Sequence, residues 1–337
     1  MSNQHHFDYL DGWRGLAIIF LLIGHFYPVP GINLGTLGVN LFFVLSGLLM
    51  SRLLFVKQVP IPLFYRRRIA RIFPAFFVML TAIVLIFSAL GREINWSEVA
   101  MAVLFLNNYF PGDIGHAVMP FGHIWSLSVE EHAYILLSLL AVISRRMNIS
   151  AVWLVGFFSC CFALTGVWYW SQLSGKELDF GVWPHSEVSA YGIFISAFFL
   201  LLLKNRKIPT LPILVYPILI LVAMMLHWWS VPNPVRTIFG VGLFALTINI
   251  LGSAPQLVKS FLSIQPLRKI GLWSFSIYLW QQPFYYAHHR DGLPAWVAVS
   301  LAILTGIVSF YCVEQPIRRY LNSHWGQVSQ DQKIVNT

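Results

Sequence analysis

Ten stretches of mostly apolar residues, each close to the roughly 20 that carry a helix across a bilayer core, run through this chain at about 11–28, 36–53, 72–90, 123–143, 151–171, 187–203, 210–229, 236–251, 271–288 and 295–313. The chain has 337 residues, 57% of them hydrophobic and only 10% charged, against about 25% charged in soluble domains. Most of its surface therefore faces lipid. An eleventh apolar piece, Val99 to Phe110, is too short to cross and ends at Asn107, Asn108 and Pro111, which fits a re-entrant or interfacial helix. The expected fold is all-α: a polytopic bundle of about ten transmembrane helices forming one domain over 1–320, with a polar tail at 321–337.

Net charge is +9, from 22 Lys and Arg against 13 Asp and Glu. In a soluble protein such an excess suggests nucleic acid, so its distribution decides its meaning. With the N-terminus inside, 17 basic residues fall in inside segments, whereas Arg92, Lys176, Arg236 and Arg290 lie outside; Arg14 sits within the first span. That asymmetry is the positive-inside pattern. It removes the nucleic-acid reading and sets both termini in the cytoplasm. The first apolar run continues without an Ala-x-Ala site, so it is expected to remain in the mature protein. Cys160, Cys161 and Cys312 have neither metal-ligand nor disulfide-framework spacing, and no metal is expected.

An ionisable residue inside a span costs at least about 2.5 kcal/mol, so each one faces a cavity or a partner. In the first span Asp11-Gly-Trp-Arg14 precedes His25. Eleven residues at 1.5 Å rise put Arg14 and His25 roughly 16 Å apart on nearly one helix face. Two readings stand: Arg14 snorkels to the headgroups while His25 caps the helix end, or the two line a site. Gly12, Gly15 and Gly24 permit close approach there. The fourth span begins His123-Ile-Trp125-Ser126-Leu-Ser-Val-Glu130-Glu131-His132-Ala-Tyr134. Ser126, Glu130 and Tyr134 share one face at i, i+4 and i+8, with Glu131 about 100° away. The paired carboxylates either hold helices together as an ion pair or exchange a proton and orient a histidine. Arg66, Arg67, Arg68 and Arg71 crowd the cytoplasmic edge of the third helix. They serve topology or anionic lipid, or else Arg68 and Arg71 chelate phosphates from one face. Asn40, Ser46, Ser274, Ser276 and Tyr278 are polar positions whose default is interhelical hydrogen bonding. Glu314 can pair with Arg318. No Gly-rich phosphate loop, zinc motif or Gly-x-Ser-x-Gly elbow is present.

Taken in order, these segments resemble the membrane acyltransferase-3 family, which includes bacterial O-antigen and Nod-factor O-acetyltransferases. The likeness runs from Tyr9 to Arg319 and rests on six motifs: Leu10-Asp11-Gly-x-Arg14 to His25, Gly38-Val-x-x-Phe-Phe-Val-Leu-Ser46-Gly47, Arg68-x-x-Arg71-Ile-x-Pro74, Trp125-Ser-Leu-Ser-Val-Glu130-Glu131, Ser276-x-Tyr278-Leu-Trp280 and Glu314-x-Pro316. The resemblance implies a ten-helix bundle that moves an acetyl or short acyl group from cytoplasmic acyl-CoA to a carbohydrate hydroxyl such as one on O-antigen, in the bacterial inner membrane. It assigns His25 as general base or acyl relay, Arg14 as electrostatic partner of donor or intermediate, Arg68 and Arg71 as CoA phosphate contacts, and Glu130 or Glu131 to orient or protonate. Asp11, Asn40, Ser46, Trp125, Tyr134 and Tyr278 are candidate substrate contacts. The chain departs from the family at His132-Ala133-Tyr134, where Gln-Phe-Tyr is common, and at Gln281, where many relatives carry histidine. An extracytoplasmic esterase-like domain, frequent in the family, is absent from the sequence, so transfer is expected to finish in the bundle or pass to another protein. The rival function is a secondary transporter or exporter of a lipid-linked or sugar substrate, because intramembrane Arg, His and Glu also couple protons.

Overall fold

The apolar stretches become helices because a backbone in lipid has no water to satisfy its amides, and only helices or closed barrels satisfy them internally. A computed structural model describes residues 7–109, 118–172 and 183–335, with backbone alone after residue 325. Among the described residues there are no strands, only an isolated bridge between Ile32 and Trp228. We number the helices α1 (Asp8–Phe26), α2 (Leu34–Val56), α3 (Ile61–Ala89), α4 (Trp96–Val103), α5 (Ile124–Met147), α6 (Ala151–Gln172), α7 (Ser186–Leu203), α8 (Val215–Leu226), α9 (Asn233–Ser253), α10 (Gln256–Leu262), α11 (Gln265–Asp291) and α12 (Ala295–Trp325).

Seven of these, α2, α3, α5, α6, α7, α9 and α12, are long and apolar enough to cross a membrane. The other three expected spans differ for physical reasons. Helix α1 carries Asp8, Asp11 and Arg14 within its 19 residues. Helix α11 is long, at 27 residues, but interleaves its apolar positions with Arg268, Lys269, Gln281, Gln282 and histidines. Helix α8 has only 12 residues. The third span also starts earlier than its apolar run: Pro62 in the first turn opens α3, so the arginine stretch is helical and Pro74 lies inside the helix. Helix α4 occupies only part of the short apolar piece, and Phe110, like Lys176, lies outside the described residues. Helical backbone runs on to Val335 through the expected tail.

Helix α6 shows which way the bundle faces. Trp153 is 77% exposed and Phe157 and Leu164 are both 63% exposed, a stripe that belongs against acyl chains and not water. At the centre, α1 packs along α2 and α11. The approach is closer than side chains would allow: a Cβ on Gly271 would stand 1.8 Å from the Asp11 carbonyl oxygen, and one on Gly24 2.0 Å from the Gly35 nitrogen. These contacts bring the polar positions of α1, α2, α3, α5 and α11 around a common interior. The end of α2 and the middle of α12 contain π-helical turns, Arg52–Val56 and Phe310–Glu314. The second of these turns buries Glu314 at 2% exposure near Arg71 of α3.

Candidate active site

Two neighbouring cavities among the described residues bear on the candidate site. The first, about 730 Å³ including its open mouth, is lined by Arg14, Arg68, Arg71, Ser46, Ser126, Glu130, Ser274, Tyr278 and apolar side chains of α2. The second, about 1380 Å³, is lined by His25, Asn33, His123, Trp125, Trp183, Tyr278, Gln282, Tyr285, His289 and others. Val39 and Tyr278 line both. The cavities are thus neighbours, with the Arg14 end of α1 on one and the His25 end on the other.

In the arginine cavity the charges are unevenly matched. Arg68 of α3 reaches Glu130 at 3.7 Å and Glu131 at 3.6 Å, and its guanidinium lies over the Tyr134 ring at 4.1 Å. Glu130 also accepts hydrogen bonds from Ser46 at 2.8 Å and Tyr134 at 2.7 Å. This cluster ties α2, α3 and α5 together and saturates the Glu130 carboxylate. The expected one-face relation of Glu130 and Tyr134 is present, whereas Glu131 also turns to Arg68 because the long guanidinium arm serves both acids. Arg14 donates to Asp11 at 2.7 Å. Glu314 accepts from Ser276 at 2.8 Å and Arg318 at 3.2 Å. Arg71 differs: its charged neighbours are Arg14, Arg68, Glu314 and Arg318, yet among the described residues it makes no ion pair or hydrogen bond. A cavity with three arginines and one fully engaged carboxylate favours an anion.

In the other cavity His25 is held by a line of amides. Gln281 on α11 donates through Nε2 to Gln282 Oε1 at 3.1 Å, which turns its Oε1 toward His25 Nδ1, 2.9 Å away. An Oε1 at that distance is a partner for a protonated Nδ1, while Nε2 has no hydrogen-bond partner among the described residues. The Tyr285 ring lies against the imidazole, tilted by 43°, at 5.0 Å between centroids. Trp125 and Trp183 face each other at 4.5 Å and, with Tyr278, Tyr285 and Tyr286, give the cavity aromatic walls. Flat apolar faces beside hydroxyl-bonding groups suit an amphipathic ring such as a sugar. Among the described residues no cluster of His, Cys, Asp and Glu could hold a metal ion.

Between the cavities stands Tyr278. Its hydroxyl donates to the His123 carbonyl and shares a 2.7 Å hydrogen bond with Ser126. Asn40 belongs to neither cavity; it bonds His227 at 3.2 Å, and His227 donates to the Ala223 carbonyl at 2.7 Å. Of the site residues read from sequence, then, Arg14, Ser46, Arg68, Arg71, Glu130 and Tyr278 meet at one cavity, His25, Trp125 and Tyr278 at the other, and Asp11, Glu131 and Tyr134 support them from behind.

A family model described as an acyltransferase domain matches residues 7–314. The chain belongs to this acyltransferase family. As an acyltransferase-family chain it is similar to the O-acetyltransferase OatA of Staphylococcus aureus strain NCTC 8325 / PS 47, at 27% identity over 355 residues that cover 95% of this chain and 58% of that relative. The O-acetyltransferase OatA of Staphylococcus aureus strain COL gives the same 27% identity and the same coverage. The chain thus spans less than two thirds of the length of the curated relatives it matches. No solved structure matches it. Family membership and seven apolar helices among the described residues make it a multi-pass membrane member of the acyltransferase family.

Sequence reasoning had not assigned Gln282, His123, Trp183 or Tyr285 to the site. The adjacent amides Gln281-Gln282 inside an apolar helix were the available signal, since each buried amide requires a partner. Trp183 and Tyr285 carried none, because an aromatic residue in a membrane protein is unremarkable by itself.

Proposed function

We propose that this protein is an O-acyltransferase that moves an acetyl or short acyl group from cytoplasmic acyl-CoA to a hydroxyl of a cell-envelope carbohydrate, with O-antigen-type glycans as the acceptor class. The observation that carries the reading is the pair of cavities sharing Tyr278, one bearing arginines and the other a basic histidine nitrogen. In this reading the bundle of residues 1–320 crosses the bacterial inner membrane ten times, with both termini and the 321–337 tail in the cytoplasm. The positive-inside distribution supports that topology. Nucleic acid has no role; lipid surrounds the bundle.

The arginine cavity then opens to the cytoplasm. Arg71, left unpaired by its neighbours, takes CoA phosphate together with Arg14, while Arg68 contributes field from its place between Glu130 and Glu131. The thin pantetheine arm passes Tyr278 and presents the thioester to His25. The acceptor enters the aromatic cavity from the other side, against Trp125. As its hydroxyl oxygen bonds to the thioester carbonyl carbon, His25 Nε2 takes the hydroxyl proton. When the carbon–sulfur bond breaks, the imidazolium returns that proton to the thiolate, releasing free CoA and the ester. The alternative order, with the acyl group resting on His25 before it reaches the hydroxyl, uses the same groups.

The test is release of CoA thiol by the purified protein in nanodiscs supplied with acetyl-CoA and O-antigen glycan. Wild type is expected to release thiol and His25→Ala to release none, with Arg71→Ala requiring more acetyl-CoA for the same rate. Glycan movement across proteoliposomes without acyl-CoA consumption would replace this reading with a secondary transporter.

A further inference from the structure

We infer that Gln281 is a positioning residue that fixes the tautomer and direction of His25. The inference rests on the acyl-transfer reading of His25, but its first test does not depend on it.

Gln281 is completely buried and comes from α11, 256 positions along the chain from His25. An amide in an apolar helix interior needs both its ends satisfied. Here its N–H is used by Gln282 and its carbonyl by His25, so rotating the amide to offer N–H to the histidine would break the first bond. With its Oε1 toward the ring the amide accepts, and an accepting partner calls for the proton on Nδ1. Neutral imidazole holds one proton between its nitrogens; placing it on Nδ1 makes Nε2 the base. Gly35 leaves room at that edge: a Cβ there would stand 3.2 Å from Nε2.

An amide orients without charge. A carboxylate at this position would also stabilise an imidazolium; the Gln281 amide brings no charge to the ring. The other titratable groups that face His25 are Tyr285 and His289 of α11 and His123 at the start of α5. From α2, also packed on α1, the neighbour at the ring is Gly35.

The deciding experiment is the ¹⁵N spectrum of histidine-labelled protein in nanodiscs, with His25 signals assigned by their loss in His25→Gln. Wild type is expected to show His25 as a single tautomer protonated at Nδ1, and Gln281→Ala to show exchange between both. A wild-type His25 protonated at Nε2, or a Gln281→Ala spectrum indistinguishable from wild type, overturns the inference whether or not the protein transfers acyl groups. If the tautomer behaves as expected and no thiol is released from acetyl-CoA, the functional reading fails and the positioning claim stands.

Kinetics give the second measurement and guard against a variant that folds poorly. Gln281→Ala is expected to lower kcat roughly 10- to 100-fold with KM for acetyl-CoA unchanged. Gln281→Glu should fold and move the acid limb of the kcat profile to higher pH by about one unit or more, while Gln281→His, which can accept at the same place, recovers most of kcat. A Gln281→Glu profile that coincides with wild type contradicts the inference.

Discussion

The hydroxyl groups of Ser126 and Tyr278 lie 2.7 Å apart, joining α5 to α11 where the two cavities meet. Tyr278 also donates to the backbone carbonyl of His123, one residue before α5 begins. One phenol thus anchors the start of α5 and separates an arginine-lined chamber from a histidine-lined one.

Tyr278→Phe keeps the ring and removes both bonds, leaving the buried Ser126 hydroxyl without its partner and the His123 carbonyl with only its backbone bond from Ser126. The expected cost is about 1–3 kcal/mol, seen as earlier thermal unfolding in detergent. Ser126→Ala, which removes only one of the two bonds, should cost less. Wild-type melting of Tyr278→Phe would mean that the junction is not held this way.

The arginines of α3 should separate by kind of defect. Arg68→Ala strands Glu130 and Glu131, each side chain under a fifth exposed, and is expected to destabilise by about 3–5 kcal/mol. Arg71 makes no ion pair or hydrogen bond among the described residues, and its buried neighbour Glu314 keeps Ser276 and Arg318, so Arg71→Ala should destabilise less than Arg68→Ala and weaken acetyl-CoA binding tenfold or more, as measured by isothermal titration. Equal melting of the two variants would contradict this division of labour.

Much of this was legible in the sequence, and the limit has a physical origin. Helical spacing gave the Glu130–Tyr134 contact and set Arg14 and His25 at opposite ends of α1, because both are properties of a single helix. Contacts between distant helices were not legible: nothing in the spacing shows that Arg68 faces both glutamates or that Gln281 faces His25. The default of interhelical bonding was correct for Asn40, whose partner His227 lies 187 positions away. Span recognition by apolarity works for α6, which faces outward, and weakens for α1 and α11, whose polar residues line the interior. Some of the residues that make those two helices poor apolar spans, Arg14 on α1 and Gln281 and Gln282 on α11, also belong to the site.

Close packing of α1 on α11 provides a further prediction. Gly271→Ala would set a methyl 1.8 Å from the Asp11 carbonyl oxygen, so the helices must separate. That separation breaks the His25–Gln281 contact, and the variant is expected to lose at least about 1–3 kcal/mol of stability along with thiol release. Gly292, at φ 73 with open space around its Cβ position, offers the comparison: Gly292→Ala should cost about 1 kcal/mol for its left-handed backbone and retain transfer. Loss of transfer in Gly292→Ala with retention in Gly271→Ala would reverse the argument.

The central claim is that donor and acceptor reach one histidine from opposite sides of the membrane. It is tested most directly in sealed proteoliposomes with acetyl-labelled acetyl-CoA trapped inside and O-antigen glycan supplied only outside. The account predicts labelled glycan in the outer medium with wild type and none with His25→Ala. Label transfer only when donor and acceptor share one compartment would contradict it.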